Sequence, residues 1–345
     1  MPETKPLVSI LIPAYKATEW LPASLESAIA QTWPHKEIIV VDDGSPDETL
    51  AVARRYESPI VKVVSQPNQG AAAARNTAFS LSQGDYIQWL DSDDLIAPGK
   101  IAAQVAALSG RSNRVVASGG WAYFMYRSRS AHFIPTALWC DLLPLEWMLR
   151  KMEQNLHMQT ATWLVGREVT AAAGPWNTQL LGDDDGEYFC RVLLQSESVK
   201  FVPEAKVFYR AGGALHYIGR SSRKIEAHFH SMQLHIDYIR SLDDGPRVRS
   251  ACLNYLQTWL ADFYPERPDI IERAQKLAEE MGGRLRTPQF SWKYAWLERL
   301  SGPDVAKRAQ VTARNTRWVI AKSVDKMLLR AENAFAMPAS EAIER

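Results

Sequence analysis

Gly84-Asp85-Tyr86-Ile87-Gln88-Trp89-Leu90-Asp91-Ser92-Asp93-Asp94 places an apolar and aromatic run between a glycine and a cluster of carboxylates. Tyr86 to Leu90 reads as a short buried strand, and its end delivers Asp91, Asp93 and Asp94 to one place. Like charges within about 4–6 Å resist joint ionisation, so such a cluster calls for a cation. Oxygen-only ligands favour Mg2+ or Mn2+, whose shell is normally completed by water and substrate phosphates. The alternative is a solvated acidic turn ahead of a helix that Pro98 opens.

Outward from this strand the same alternation repeats. Leu7 to Pro13 is a continuous apolar run stopped by proline, as in a strand buried on both faces of a parallel sheet. Glu19 to Gln31 carries Leu21, Leu25, Ala28 and Ile29 at helical spacing. A second strand, Lys36 to Val41, ends in Asp42-Asp43-Gly44-Ser45, and Ser45-Pro46-Asp47-Glu48 opens another helix. Ile60 to Ser65 is a third strand and Gly70 to Ser82 a third helix. Strands alternating with helices predict right-handed crossovers and a doubly wound α/β sheet. Ligands bind such sheets beyond the carboxyl ends of the strands. Pro13-Ala14-Tyr15, Asp42-Asp43 and Asp91-Ser92-Asp93 are therefore expected to share one crevice.

With 345 residues, the chain has room for one large domain with an appendage, or for two domains. Its 46% hydrophobic and 23% charged content is ordinary for a globular protein, and a net charge of +1 gives no pull toward nucleic acid. Cys140, Cys190 and Cys252 lie far apart without zinc spacing, as reduced thiols of a cytoplasmic protein. The run Leu7 to Ala14 is too short and polar for a secretory signal, and no stretch reaches a spanning helix of about 18 apolar residues. There is no G-x-G-x-x-G after the first strand and no G-x-x-x-x-G-K-[ST], which argues against a dinucleotide oxidoreductase and a P-loop ATPase.

The segments VSILIPAY (8–15), SLESAIAQTW (24–33), EIIVVDDGSPDET (37–49), NQGAAAARNTAF (68–79) and GDYIQWLDSDD (84–94) resemble, in order, the large family of inverting glycosyltransferases that use nucleotide sugars and have the GT-A fold, of the family 2 type. The resemblance implies a Rossmann-like, mostly parallel central sheet flanked by helices. By that likeness Pro13, Ala14 and Tyr15 line the nucleoside, Asp43 bonds the base, Arg75 neighbours the nucleotide pocket, and Asp91-Ser92-Asp93 holds ribose and metal, with Asp93 the main metal contact. The chemistry agrees: uracil N3–H suits a carboxylate acceptor, a tyrosine ring offers a stacking face, and a divalent ion neutralises departing UDP. From the residues alone, Asp42 reads equally as a partner of local turn amides, and Arg75 as a helix-surface ion-pair residue.

The second acidic stretch is Gly182-Asp183-Asp184-Asp185-Gly186-Glu187, ahead of the apolar face of Tyr188, Phe189, Val192 and Leu193. By spacing alone these acids complement a helix dipole, and Asp184 with Glu187 resembles a capping box. The family resemblance gives them another role. Its members carry an acidic pair six or seven residues before an arginine, after a G-x-[FW]-[DN] segment. Gly174-Pro175-Trp176-Asn177 and Arg191 match, which puts the pair at Asp184-Asp185, with Asp185 the general base and Asp184 the alternate.

Val115 to Ser118 reads as a strand followed by a Gly119-Gly120 turn. The aromatics after it, Trp121, Tyr123, Phe124, Tyr126, Phe133 and Trp139, read either as core or as faces for an acceptor sugar. Phe201-Val202-Pro203 and Lys206 to Arg210 are expected as two closing strands before a Gly212-Gly213 loop, with His216 a further metal or pyrophosphate contact or a surface residue, and Arg220, Arg223 and Lys224 diphosphate clamps or solvated. His228, His230 and His235 are read as not sharing a face at ligand spacing.

From Trp292 to Glu332, nine Lys and Arg stand against four Asp and Glu among tryptophans. Such basic amphipathic helices lie on anionic membranes or pack on protein. The expectation is a metal-dependent (Mn2+ or Mg2+) inverting glycosyltransferase using a nucleotide sugar, UDP-linked, on a glycan or lipid-linked acceptor in surface polysaccharide assembly. It would be cytoplasmic, with 292–332 either in peripheral contact with the inner membrane face or packed on the catalytic domain or a partner subunit. Residues 1–215 would be catalytic, with a nucleotide-sugar half to about 110, 216–335 a helical region and 336–345 a tail. A nucleotidyltransferase or a silent nucleotide-sugar-binding module are the rival classes.

Overall fold

The computed structural model describes residues 5–211, 221–289 and 292–336. The 215–216 boundary, Gly212-Gly213, His216, Arg220 and residues 337–345 lie outside the described residues. In chain order the elements are β1 (Val8–Ala14), α1 (Leu21–Ile29), β2 (Lys36–Asp42), α2 (Thr49–Arg54), β3 (Val61–Ser65), α3 (Ala71–Leu81), β4 (Tyr86–Trp89), β5 (Leu95–Ile96), α4 (Lys100–Leu108) and β6 (Val115–Phe124). There follow α5 (Pro144–Gln154), β7 (Val165–Gly166), α6 (Arg167–Ala173), α7 (Asp184–Gln195), β8 (Ser198–Arg210), α8 (Ser222–Leu242), α9 (Pro246–Phe263), α10 (Pro268–Glu280), α11 (Trp292–Ser301) and α12 (Pro303–Ala336).

The central sheet has the order β3-β2-β1-β4-β7, parallel through β4, with β7 antiparallel at the edge. All seven residues of β1 are buried, as its unbroken apolar run requires of a strand covered on both faces. Each fully buried Val, Leu or Ile contributes about 1.5–3 kcal/mol. The α/β expectation therefore holds, and β2, β1 and β4 lie side by side so that their carboxyl ends open on one edge.

A second sheet, β5-β8-β6, extends from it through the bridge Ala117–Leu164. Here two readings need correction. Gly119-Gly120 is not a turn: both lie inside β6, where the register against β8 shifts between them. A Cβ on Gly119 would overlap the carbonyl oxygen of Ala205, and one on Gly120 would press on the Trp139 ring at 3.1 Å. Glycine marks close approach of two chains at a bulge. Likewise the two expected closing strands are one continuous β8, in which Pro203 to Ala205 form the extra residues opposite that shift.

Beyond the sheets, α8, α9 and α10 form a helical layer whose apolar side chains, Phe229, Met232, Ile236 and Leu256 among them, are buried against α5 and α7. His228 and His235 both sit on the buried face of α8, seven residues and two turns apart, while His230 is exposed. The three therefore do not share one face at ligand spacing, in line with the sequence reading. Among the described residues no group of three or more His, Cys, Asp or Glu side chains is arranged to hold a metal ion. Helix α12 is tied to the end of β6 by Arg127, which pairs with Asp325 at 2.7 Å and Glu332 at 2.9 Å. Among the described residues no helix is long and apolar enough to cross a membrane.

Candidate functional site

Asp91 leaves β4 at a turn closed by the Asp94 N–H on the Asp91 carbonyl, 3.1 Å. Its carboxylate accepts from the Arg75 guanidinium at 2.7 Å, and the other arm of Arg75 donates to Asp184 at 2.9 Å. Arg75 is buried in α3 and lies over the Trp176 ring at 4.3 Å. Burial works against its charge, but Asp91 and Asp184 raise its pKa beyond the ordinary range. The surface ion pair considered from sequence is therefore a buried bridge between two acidic stretches. Gly174-Pro175-Trp176-Asn177 is what positions it: Asn76 exchanges two hydrogen bonds with the Trp176 backbone, at 2.7 and 3.0 Å, and Trp176 stacks on Tyr188 at 4.1 Å.

Asp183, Asp184 and Asp185 lie at the start of α7. The capping box does not form, because Asp183 is the residue at the cap and the Glu187 side chain is spent on Arg191 and on the Tyr238 hydroxyl. Asp183 takes a left-handed conformation, φ 56°, accepts from the Ser231 hydroxyl at 2.7 Å and faces His235 at 3.7 Å. Gly186 leaves room beside it, since a Cβ there would push the Asp183 carboxylate out of place. Burial alone would raise Asp183, yet His235, Lys151 and His228 hold it below the usual carboxylate range.

Asp185 is different. Its carboxylate accepts one hydrogen bond, from Thr160 Oγ1 at 3.2 Å. Burial, with Asp184 and Asp183 beside it, pushes it up to about 7. Asp184 is raised too, by burial and by Asp91, against the pull of Arg75. A carboxylate that titrates near neutrality accepts a proton most effectively there.

Asp94 is fully buried and structural: it accepts from Gln159 and from the Arg210 backbone N–H at 2.7 Å. Burial and the neighbouring Asp93 and Asp91 raise its pKa well above normal. The Asp93 carbonyl accepts from Arg210 Nε at 2.7 Å. Arg210 itself is packed between the Trp20 and Phe124 rings, at 4.1 and 4.3 Å. The carboxylates that would hold a cation are Asp93 and Asp91, a hard oxygen pair of which Asp91 already shares Oδ1 with Arg75. Two carboxylates make only part of a divalent shell and leave the rest to water and phosphate, so these residues fit an ion held jointly with a diphosphate.

At the neighbouring strand ends, Pro13 and Ala14 are buried and Tyr15 is 45% exposed. Asp43 is buried and accepts from Gln66 Nε2 (2.8 Å), the Gln69 N–H (3.0 Å) and the Gly70 N–H (2.7 Å). That occupies about three of its four lone-pair directions. Asp42 accepts on Oδ2 from Ser65 at 2.9 Å, whereas its buried Oδ1 has no partner. The expected residues at positions 13–15, 42–43, 75, 91–93 and 184–185 thus gather on one edge. Sequence reasoning missed Arg210, Gln159 and Thr160. Arg210 had only the look of a strand end, and Gln159 and Thr160 sit in a loop without motif spacing.

Comparison with known proteins agrees with this architecture. The family model "Glycosyl transferase family 2" matches residues 9–167. An uncharacterized glycosyltransferase of Haemophilus influenzae is 34% identical over 211 residues, 60% of this chain and 80% of that protein. An uncharacterized glycosyltransferase of Rickettsia typhi is 37% identical over 130 residues, 37% of this chain and 41% of that protein. The chondroitin synthase of Escherichia coli is 43% identical over 98 residues, 28% of this chain and 14% of that one. The chain therefore spans well under half the length of the last two. Among solved structures, S. aureus TarS 1–349 in complex with UDP-GlcNAc superposes with a TM-score of 0.62 at 17% identity, over 79% of this chain and 83% of that one. The mannosyltransferase PcManGT from Pyrobaculum calidifontis, in complex with GDP-Man and Mn2+, gives 0.52 at 18% identity, over 94% and 88%. These structural likenesses concern the fold.

Proposed function

Because the chain belongs to glycosyl transferase family 2, we propose that it moves a sugar, with inversion, from a nucleoside diphosphate sugar, UDP-linked, to a hydroxyl of a glycan or lipid-linked acceptor in surface polysaccharide assembly. One observation carries the reading. Arg75 bridges Asp91 and Asp184, so the turn that would face a diphosphate and the acids that would face an acceptor belong to a single crevice.

In this reading the nucleoside lies against Pro13, Ala14 and Tyr15, within reach of Asp42 and Asp43, and Asp91, Ser92 and Arg75 border the ribose and diphosphate. Asp91 and Asp93 would hold Mn2+ or Mg2+. Such an ion, when bound, supplies charge neutralisation to the diphosphate. Asp185 accepts the proton of the acceptor hydroxyl while that oxygen bonds to the anomeric carbon, and the bond from this carbon to the diphosphate oxygen breaks, its electron pair leaving with the nucleotide. Attack opposite the leaving group inverts the configuration. Asp184, fixed on Arg75, keeps the first turn of α7 in register with β4 and is the alternate base. Residues 1–215 form the catalytic part in this assignment, and the basic α11 and α12 hold the enzyme against an anionic membrane surface.

The test is a panel of nucleotide sugars scored by thermal stabilisation with and without Mn2+, followed by turnover of those that bind. A ligand at 100 times its dissociation constant adds about 2.7 kcal/mol. UDP-sugars should stabilise the protein in a Mn2+-dependent manner, and Asp93→Asn should remove the Mn2+-dependent part. Binding without turnover on any acceptor would replace the proposal with a nucleotide-sugar-binding module.

A further inference from the structure

Beyond the Asp91 turn, the second sheet carries three aromatic rings in contact, and the ring of His157, from the loop after α5, joins them. Tyr123 of β6 and Tyr209 of β8 are register partners with ring centres 5.2 Å apart. Trp121 meets Tyr123 edge-on at 4.9 Å and Tyr209 at 6.0 Å, and the His157 ring lies 4.8 Å from the Trp121 ring. Trp121 is buried beneath, while Tyr123 is 51% exposed and His157 is also open to solvent. The remaining aromatics of this stretch are spent on packing: Trp139 stacks on Phe201, Phe124 and Phe133 meet Phe208, and Tyr126 meets Trp20. An exposed tyrosine on a rigid strand pair, backed by a buried tryptophan, is an apolar face, and it borders a cavity that Ala321, Val324 and Leu328 of α12 line from the other side.

Its position is fixed by backbone. Tyr209 precedes Arg210, whose N–H is bonded to Asp94, and the field of Asp94, Asp185 and Asp91 adds to burial in raising the Tyr209 hydroxyl pKa. His157 lies two residues before Gln159, which bonds Asp94, and three before Thr160, which donates to Asp185. Along the crevice the order is therefore Asp42 and Tyr15 on β2 and β1, Asp91 after β4, then Asp185 with the aromatic wall of β8 and β6. The wall stands beside the 183–185 acids, since Thr160, three residues after His157, donates to Asp185.

We propose that Tyr123, Tyr209, Trp121 and His157 form the acceptor subsite and that it takes a pyranose ring, stacked by its C–H face on Tyr123. The inference rests on the proposed function and adds the substrate class of its second half. A sugar presents an apolar C–H face and a rim of hydroxyls, which matches an aromatic floor beside polar groups. With the ring on Tyr123, the rim faces Asp185, which an in-line displacement requires of the incoming hydroxyl. Tyr123 is then a specificity residue that works by stacking alone, so phenylalanine should replace it.

The experiment uses the full chain with saturating UDP and Mn2+. Methyl glycosides of glucose, galactose and N-acetylglucosamine are scored by saturation-transfer NMR, with UDP binding followed in parallel by thermal shift. At least one glycoside should receive saturation at its ring protons. Tyr123→Ala should weaken it about tenfold, equivalent to about 1.4 kcal/mol, with the UDP shift unchanged, and Tyr123→Phe should bind as the parent does. His157→Ala, at a second exposed position, should weaken it as well. The inference is overturned if no glycoside binds while UDP does, or if Tyr123→Ala binds glycoside as the parent does. It is also overturned if Tyr123→Ala weakens a UDP-sugar but not UDP, since the wall would then hold the donor sugar. Absence of any UDP shift in the parent would instead overturn the proposed function beneath it.

Discussion

Asp91 and Asp184, 93 residues apart in sequence, are held by opposite arms of one guanidinium, 2.7 Å and 2.9 Å from Arg75. The pairing sets how far the turn after β4 stands from the first turn of α7. Neither carboxylate is fully buried, with side chains 26% and 21% exposed, but Arg75 is, at 7%.

Removing Arg75 should therefore be costly in a specific way. Arg75→Met leaves two carboxylates facing each other without their shared cation, and breaking a buried pair by deleting one partner typically costs about 3–5 kcal/mol. Lysine should restore little, because a point charge cannot span both acids. We expect Arg75→Met to lower the urea midpoint strongly and Arg75→Met/Asp184→Asn to recover part of it. A double variant no more stable than the single one would mean that the two acids do not depend on the bridge.

Asp185→Asn should separate chemistry from stability. Loss of a general base typically costs about 10²–10⁴ in rate, with UDP binding kept. Since Asp185 titrates near 7 in the fold, transfer by the parent should rise with pH through that value, and the variant should lack this limb. Stability runs the other way. The folded carboxyl holds its proton to higher pH than the unfolded one, so its contribution is complete below about 4 and lost as pH rises through about 7. Asparagine escapes that loss, so Asp185→Asn should melt higher than the parent at pH 8 and show no such advantage at pH 4. A variant with full activity would move the base to Asp184.

Much of this site was legible because its residues sit where strands end. An apolar run followed by acids, as in β2 and β4, fixes both the strand and the edge at which it opens, so Asp42, Asp91 and Asp93 could be placed without coordinates. The pair at Asp184-Asp185 was picked out through the family resemblance, by the preceding Gly174-Pro175-Trp176-Asn177 and the spacing to Arg191, which in the structure pairs with Glu187. Arg210, Gln159 and Thr160 act through tertiary contacts across 117, 65 and 25 residues, and no local pattern announces a hydrogen bond of that span. Gly119-Gly120 misled for a related reason: glycine signals a turn and a close approach with the same letter.

That ambiguity can be measured. If Gly119 serves close approach, alanine there drives a methyl group into the Ala205 carbonyl, and overpacking of this kind costs about 1–3 kcal/mol. Gly99→Ala is the control, because a Cβ there meets nothing within 4 Å and its φ is −88°. We expect Gly119→Ala to lose stability by urea denaturation and Gly99→Ala to stay within about 0.5 kcal/mol of the parent. Equal behaviour of the two would return Gly119 to the status of a permissive turn residue.

The C-terminal helices carry the last expectation. Trp292, Trp296 and Leu300 of α11 are 81%, 59% and 76% exposed, and Val319, Ile320 and Met327 of α12 are 58%, 58% and 62% exposed. They alternate with nine basic residues against four acids over 292–332, and two of those acids, Asp325 and Glu332, are already paired with Arg127. Exposed tryptophan and aliphatic groups beside lysine and arginine suit the headgroup region of an anionic bilayer, where each basic residue near the surface contributes about 1 kcal/mol. The protein should float with phosphatidylglycerol vesicles and not with phosphatidylcholine vesicles, and raised salt should weaken the association. Trp292→Ala/Trp296→Ala should reduce flotation at low salt while leaving the UDP thermal shift intact, since both side chains are exposed and α11 packs on α12. Flotation that ignores lipid charge, or no flotation at all, would leave these side chains to a protein partner.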